Sequence, residues 1–141
     1  MINMQKYLDD WLVGKVEPPI TKLLGIHLLE YSGGMARADM TASGRHHNPM
    51  GVLHGGILCD LADAAMGAAI ASALLEGETF STVELHIHYF RVVREGRLTA
   101  TGKVIRRGGS TAYIECEIVD GQNYLVAKAA STCLIQPAAG T

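Results

Sequence analysis

The chain has 141 residues, 48% of them apolar, enough for a single domain whose core folds without staples. Its 12 basic and 14 acidic residues are well mixed and leave a formal net charge of -2, so nucleic acid and anionic lipid are offered no blanket of positive charge. Cys59, Cys116 and Cys133 lack metal-ligand spacing and sit in apolar segments as reduced, buried thiols; the first ten residues lack the basic and apolar regions of a signal peptide, and both features suit a cytoplasmic protein.

Residues 3–13 place Met4, Leu8, Trp11 and Leu12 at helical spacing before Gly14, which predicts a short amphipathic helix. Pro18-Pro19 breaks it, residues 20–23 read as a short turn, and residues 25–31 read as a strand. Ser32-Gly33-Gly34 is a hairpin signal, and residues 35–42 alternate apolar and polar side chains, as an antiparallel partner with one solvated face does.

The segment Asn48-Pro49-Met50-Gly51-Val52-Leu53-His54-Gly55-Gly56-Ile57-Leu58-Cys59-Asp60 then leads into an apolar run to Leu75 whose only further charge is Asp63. Without proline and apolar nearly all round, residues 55–75 predict a buried helix of roughly 30 Å at ~1.5 Å rise per residue. A membrane span is excluded, because Asp60 and Asp63 would each cost ~2.5 kcal/mol or more at the bilayer centre. Glu76-Gly77-Glu78 ends the helix, and strand-like runs follow at residues 80–92, 97–106, 111–119 and 124–135, separated by turn signals. With no repeat or linker, residues 1–141 form one α+β domain in which a curved six-stranded antiparallel sheet wraps the long helix. Pairing with a second copy would protect the sheet edges.

The start of this helix carries the chemistry. Gly55 and Gly56 let a ligand approach the backbone, and the first four N–H groups of a helix have no internal partner, which suits negative charge. Asp60 lies near the first turn, where the helix dipole stabilises a carboxylate; Asp63 lies a turn further in among Leu61, Ala62, Ala64, Ala65 and Met66, where desolvation raises a carboxyl pKa and the group needs a partner or a role. The six histidines suggest a metal less than they suggest solvated positions, because His86 and His88 share a strand face with Glu84 while His46 and His47 sit in a loop, without HExxH spacing. There is no Gly-x-Ser-x-Gly elbow, and the glycines fit no nucleotide-binding loop, so no cofactor is called for.

What survives is Asp63 as general base or nucleophile, backbone donors at Gly55 and Gly56, and polar side chains at Asn48 and His54. This set suits water attacking an acyl carbonyl, where loss of one oxyanion donor costs ~2.7–4 kcal/mol of transition-state stabilisation. A thioester is the acyl compound best matched, since its thiolate departs without protonation. Asn48 is equally readable as a turn former before Pro49, and His54 as a helix-start cap.

Asn48-x-x-Gly51-x-x-His54-Gly55-Gly56, with Asp63 nine residues after the histidine and Thr82-Val83-Glu84-Leu85 later, resembles the signature of hotdog-fold acyl-CoA thioesterases of the PaaI-like type. The order of strand pair, helix and four strands extends the likeness over nearly the whole chain. The resemblance implies Asp63 as base or nucleophile, the Gly55 N–H on the thioester oxygen, Asn48 and His54 orienting carbonyl and water, and Thr82 assisting. It also implies a site shared between two subunits, with Asp63 and Thr82 of one facing Asn48, His54 and Gly55 of the other, in a dimer of dimers. Met50, Leu53, Leu58 and Ala62, with Gly56, would line a medium-chain or aryl acyl pocket, and Arg106, Arg107, Gly108 and Ser110 would meet the CoA phosphates. Family members often have proline after the arginine that closes the third strand, whereas here Arg91 precedes Val92-Val93. A dehydratase or hydratase acting on 3-hydroxyacyl thioesters and a non-catalytic acyl-CoA binder are the alternatives.

Overall fold

A computed structural model of the chain describes residues 2–139. Helix α1 (Met4–Leu12) starts where the Asn3 side chain accepts the Lys6 N–H at 2.9 Å, and it buries Leu8 and Trp11. Residues 20–23, expected as a turn, lie in a second helix, α2 (Pro19–Leu24), because Pro19 takes the first helical position, where its missing N–H costs nothing.

Strands β1 (His27–Ser32) and β2 (Met35–Ala42) form the predicted hairpin. The long helix, α3 (Gly55–Ala71), is followed by β3 (Glu78–Tyr89), β4 (Gly96–Arg107), β5 (Thr111–Asp120) and β6 (Leu125–Pro137). The helix stops four residues before Leu75 because Ser72 Oγ donates to the Ala69 carbonyl and accepts the Gly34 N–H, and the last turn tightens to i→i−3 bonds.

All pairings are antiparallel, and the six strands lie in the order β1-β2-β4-β5-β6-β3. The sheet curves around α3, which lies against β2, β4 and β5. Gly102 on β4 is what lets them meet: a Cβ there would stand 2.8 Å from the Ala65 carbonyl oxygen. Met40, Leu61, Met66, Ile70, Leu98, Ile114, Ile118 and Val126 fill the layer between helix and sheet, each contributing about 1.5–3 kcal/mol.

The sequence pattern predicts a helix buried nearly all round, but one face of α3 is open. Leu58, Leu61, Ala62, Ala65, Met66 and Ala69 are buried, while Asp60, Ala64 and Gly67 are half-covered and Asp63 is exposed. Strand β3 is likewise open. It lies at the sheet edge, pairs only with β6, and leaves Val83 and Tyr89 exposed, with Phe90 and Val92 just beyond it.

Candidate active site

Residues 43–54 are bound to their surroundings along their length. His46 is buried, accepting the Ser43 N–H at 3.1 Å through Nδ1 and meeting the Leu24 carbonyl through Nε2. His47 Nε2 contacts the Arg94 carbonyl at 2.8 Å, and the Leu53 N–H donates to the Val93 carbonyl at 2.7 Å. The Val93 carbonyl thus anchors the loop that delivers α3.

Asn48 acts as a turn former, its Oδ1 accepting the N–H groups of Met50 at 2.9 Å and Val52 at 3.4 Å. His54 is the helix cap, its Nδ1 accepting the Gly56 N–H at 3.0 Å. The Gly56 amide is therefore engaged, so it is not the second oxyanion donor that the paired glycines suggest. The Ile57 N–H returns to the His54 carbonyl, whereas the Gly55 N–H has no acceptor among the described residues.

Tyr89, at the end of β3, escaped the sequence reading. Its hydroxyl donates to the Gly55 carbonyl at 2.9 Å and lies 3.4 Å from Cys59 Sγ; its own pKa is pushed up to about 12, first by desolvation and then by the cysteine. The Gly55–Gly56 peptide is gripped at both ends, by Tyr89 on its oxygen and His54 on its nitrogen, which orients the neighbouring unpaired Gly55 N–H. A Cβ at Gly55 would stand 3.0 Å from the Tyr89 ring, so a side chain here would force the ring to shift. The signal available in sequence was only an aromatic closing a strand, which is ordinarily packing.

Asp63 is exposed in the single chain rather than enclosed, because its helix face points away from the sheet. Its carboxyl pKa is nevertheless raised, first by desolvation from the protein atoms crowding it; the Thr82 hydroxyl lowers it by hydrogen bonding, and Asp60 raises it further by repulsion. Thr82 also lies 3.7 Å from Cys133 Sγ, and β3 bulges immediately after it, between Thr82 and Glu84, bending the edge strand at this point.

A raised carboxyl pKa stabilises the fold below the ordinary carboxylate range and loses that contribution as pH rises through the folded-state value. Asp63→Asn, which cannot ionise, is therefore expected to melt above the wild type at pH 7. The gap should narrow toward pH 4; thermal unfolding at both pH values checks this.

Other expected site residues are dispersed. Met50 is exposed in the Asn48 turn, and Leu53, Leu58 and Ala62 are buried in the core, so these four do not line an open cavity beside Asp63. An apolar groove of about 210 Å³ does lie there, between α3 and the pair α1 and α2, with Asp60 and Asp63 in its wall. Arg107 forms a two-point ion pair with Glu78, at 2.9 and 2.5 Å, by the C-terminal end of α3; Arg106 and Ser110 are exposed, and the Gly108 N–H closes a turn onto the Thr111 carbonyl. Among the described residues no group of three or more His, Cys, Asp or Glu is arranged to hold a metal, and no helix is long and apolar enough to cross a membrane. The three cysteines are free, with Cys116 and Cys133 buried and Cys59 half-buried.

A long helix wrapped by a six-stranded antiparallel sheet is the hotdog fold, here with a capped glycine pair at the helix start and an acid of raised pKa two turns on. Residues 50–127 match the model of the thioesterase superfamily, and the chain belongs to that family. It is 28% identical to a 1,4-dihydroxy-2-naphthoyl-CoA hydrolase of Listeria monocytogenes over 72% of this chain and 82% of that protein. It is 26% identical to the medium/long-chain acyl-CoA thioesterase YigI of Salmonella typhimurium over 83% and 85%. Its structure superimposes on the Escherichia coli PaaI protein, from the phenylacetic acid degradation operon, with a TM-score of 0.83 at 27% identity, covering 99% of each chain.

Proposed function

We propose that the protein hydrolyses a medium-chain or aryl acyl-CoA to the free acid and CoA, with Asp63 as base or nucleophile and the Gly55 N–H as oxyanion donor. One observation carries this reading. The desolvated acid and the unpaired amide sit on the same helix, eight residues and about 12 Å apart, so within one chain they cannot reach the same carbonyl. A second copy brings them together.

The open edge of β3, with its exposed apolar side chains and the exposed Asp63 face, supplies the surface for such pairing, and dimers would pair again into tetramers. In the shared site Asp63 takes a proton from the attacking water, or itself attacks the carbonyl. Charge developing on the thioester oxygen is met by the Gly55 N–H of the other copy, and collapse of the tetrahedral species expels CoA as thiolate. Thr82 holds Asp63 in place, while Asn48 and His54 act by shaping the backbone around Gly55. Arg106 and Ser110 provide exposed donors for the phosphates, with Gly108 shaping the turn between them and Arg107 largely committed to Glu78. The free cysteines suit a cytoplasmic setting.

The test is a panel of acyl-CoA substrates followed by thiol release and by enoyl absorbance. Thiol release without an enoyl signal is the expected result; an enoyl change without thiol would establish the hydratase alternative, and binding without turnover the non-catalytic one. Tyr89→Phe, which keeps the ring and loses the hydrogen bond to Gly55, is expected to lower kcat about ten-fold with KM within about two-fold, as befits a residue that orients a transition-state donor. Steady-state kinetics separate the two parameters.

A further inference from the structure

We infer that the groove between α3 and the α1–α2 pair is the acyl site, and that it selects straight chains of about eight carbons over aryl groups. This deepens the hydrolase reading above and rests on it. Along α3 the groove runs from Asp63 past Ala64, Gly67 and Ala68 to Ala71, eight residues or about 12 Å, with Leu8, Trp11 and Phe80 among the opposite walls.

That shape is a trough rather than a bowl. An extended chain advances about 1.25 Å per carbon with bonds near 1.5 Å, so the length admits at most about ten carbons beyond the carbonyl. The length therefore sets the limit, and a chain of about eight carbons seats in the groove just short of its far end. A single flat ring, shorter than the roughly 12 Å that the groove runs along α3, would leave its far end empty.

Two positions set the length. Gly67 leaves the floor open: a Cβ there would rest 3.7 Å from Phe80 Cζ, an ordinary contact, and a longer side chain would project into the trough. Met4 and Ala71 line both this groove and a neighbouring hollow bordered by Leu74 and Glu78, so they form the partition at its far end. Asp60 and Asp63 at the other end leave a neutral thioester unopposed and repel the carboxylate product, which favours release.

The experiment measures kcat/KM from butyryl- to dodecanoyl-CoA and for phenylacetyl-CoA. In the wild type it should rise by up to about four-fold per methylene to roughly eight carbons and then level. Gly67→Leu should cut the octanoyl-to-butyryl ratio at least ten-fold, and Met4→Ala should move the plateau to longer chains. Trp11 is the sole tryptophan and lines the groove, so its fluorescence reports octanoyl-CoA binding independently of turnover. Gly67→Ala serves as the folding control. An unchanged ratio in folded Gly67→Leu, or a Trp11 signal indifferent to acyl length, overturns the assignment. A wild type that releases no thiol but shows a length-dependent Trp11 signal sinks the hydrolase reading and leaves the groove standing.

Discussion

Asp63→Ala is expected to lower kcat for thiol release by roughly 10²–10⁴-fold, with KM little changed, the range associated with removing a positioned base. Among the described residues the carboxylate is the only acidic group that combines desolvation, a hydroxyl partner in Thr82 and a place in the apolar groove. Asp60, three residues earlier, has its pKa raised by burial alone and lacks such a partner, so it is not a substitute. In the wild type, kcat/KM should climb with pH on the acid side through a value above the ordinary carboxylate range, because the base works only when ionised and its pKa is raised. The variant should lose that limb. A rate unaffected by Asp63→Ala would remove the base from the mechanism.

The second large effect is complementation. Gly55→Val pushes a branched side chain into the Tyr89 ring, displacing the helix start that carries the unpaired amide, and is expected to cost about 10²–10³-fold, as loss of an oxyanion donor does. Co-expressed with Asp63→Ala, however, it should recover about a quarter of wild-type activity: random pairing makes half the dimers mixed, and each mixed dimer holds one site with both an intact acid and an intact amide. If one chain built the whole site, the mixture would be no more active than its parents. Differently tagged subunits, purified as the mixed species, make the measurement direct.

Much of this was legible in the chain itself, because the signals were local. Helical spacing of Leu8 and Trp11, alternation along β2 and the Gly-rich turns depend on neighbours two to four residues away, so the helix-and-strand order followed from periodicity. The Asn48–Gly56 segment and Asp63 were recognisable for the same reason. Residues 20–23 were misread as a turn because the proline pair was weighed only as a helix breaker, whereas Pro19 in the first helical position starts one.

Sequence by itself determined that one apolar helix would be wrapped by six antiparallel strands, and that its first turns would carry glycines and an acid in register. Only the tertiary structure decided that β3 swings to the sheet edge beside β6, setting Thr82 near Asp63 and the Tyr89 hydroxyl on Gly55, across separations of 19 and 34 residues. It also put Leu53, Leu58 and Ala62 in the core and left an apolar groove on the α1 side of the helix. Hydrophobicity says that a side chain leaves water but not which neighbour receives it, and that choice depends on how distant elements pack.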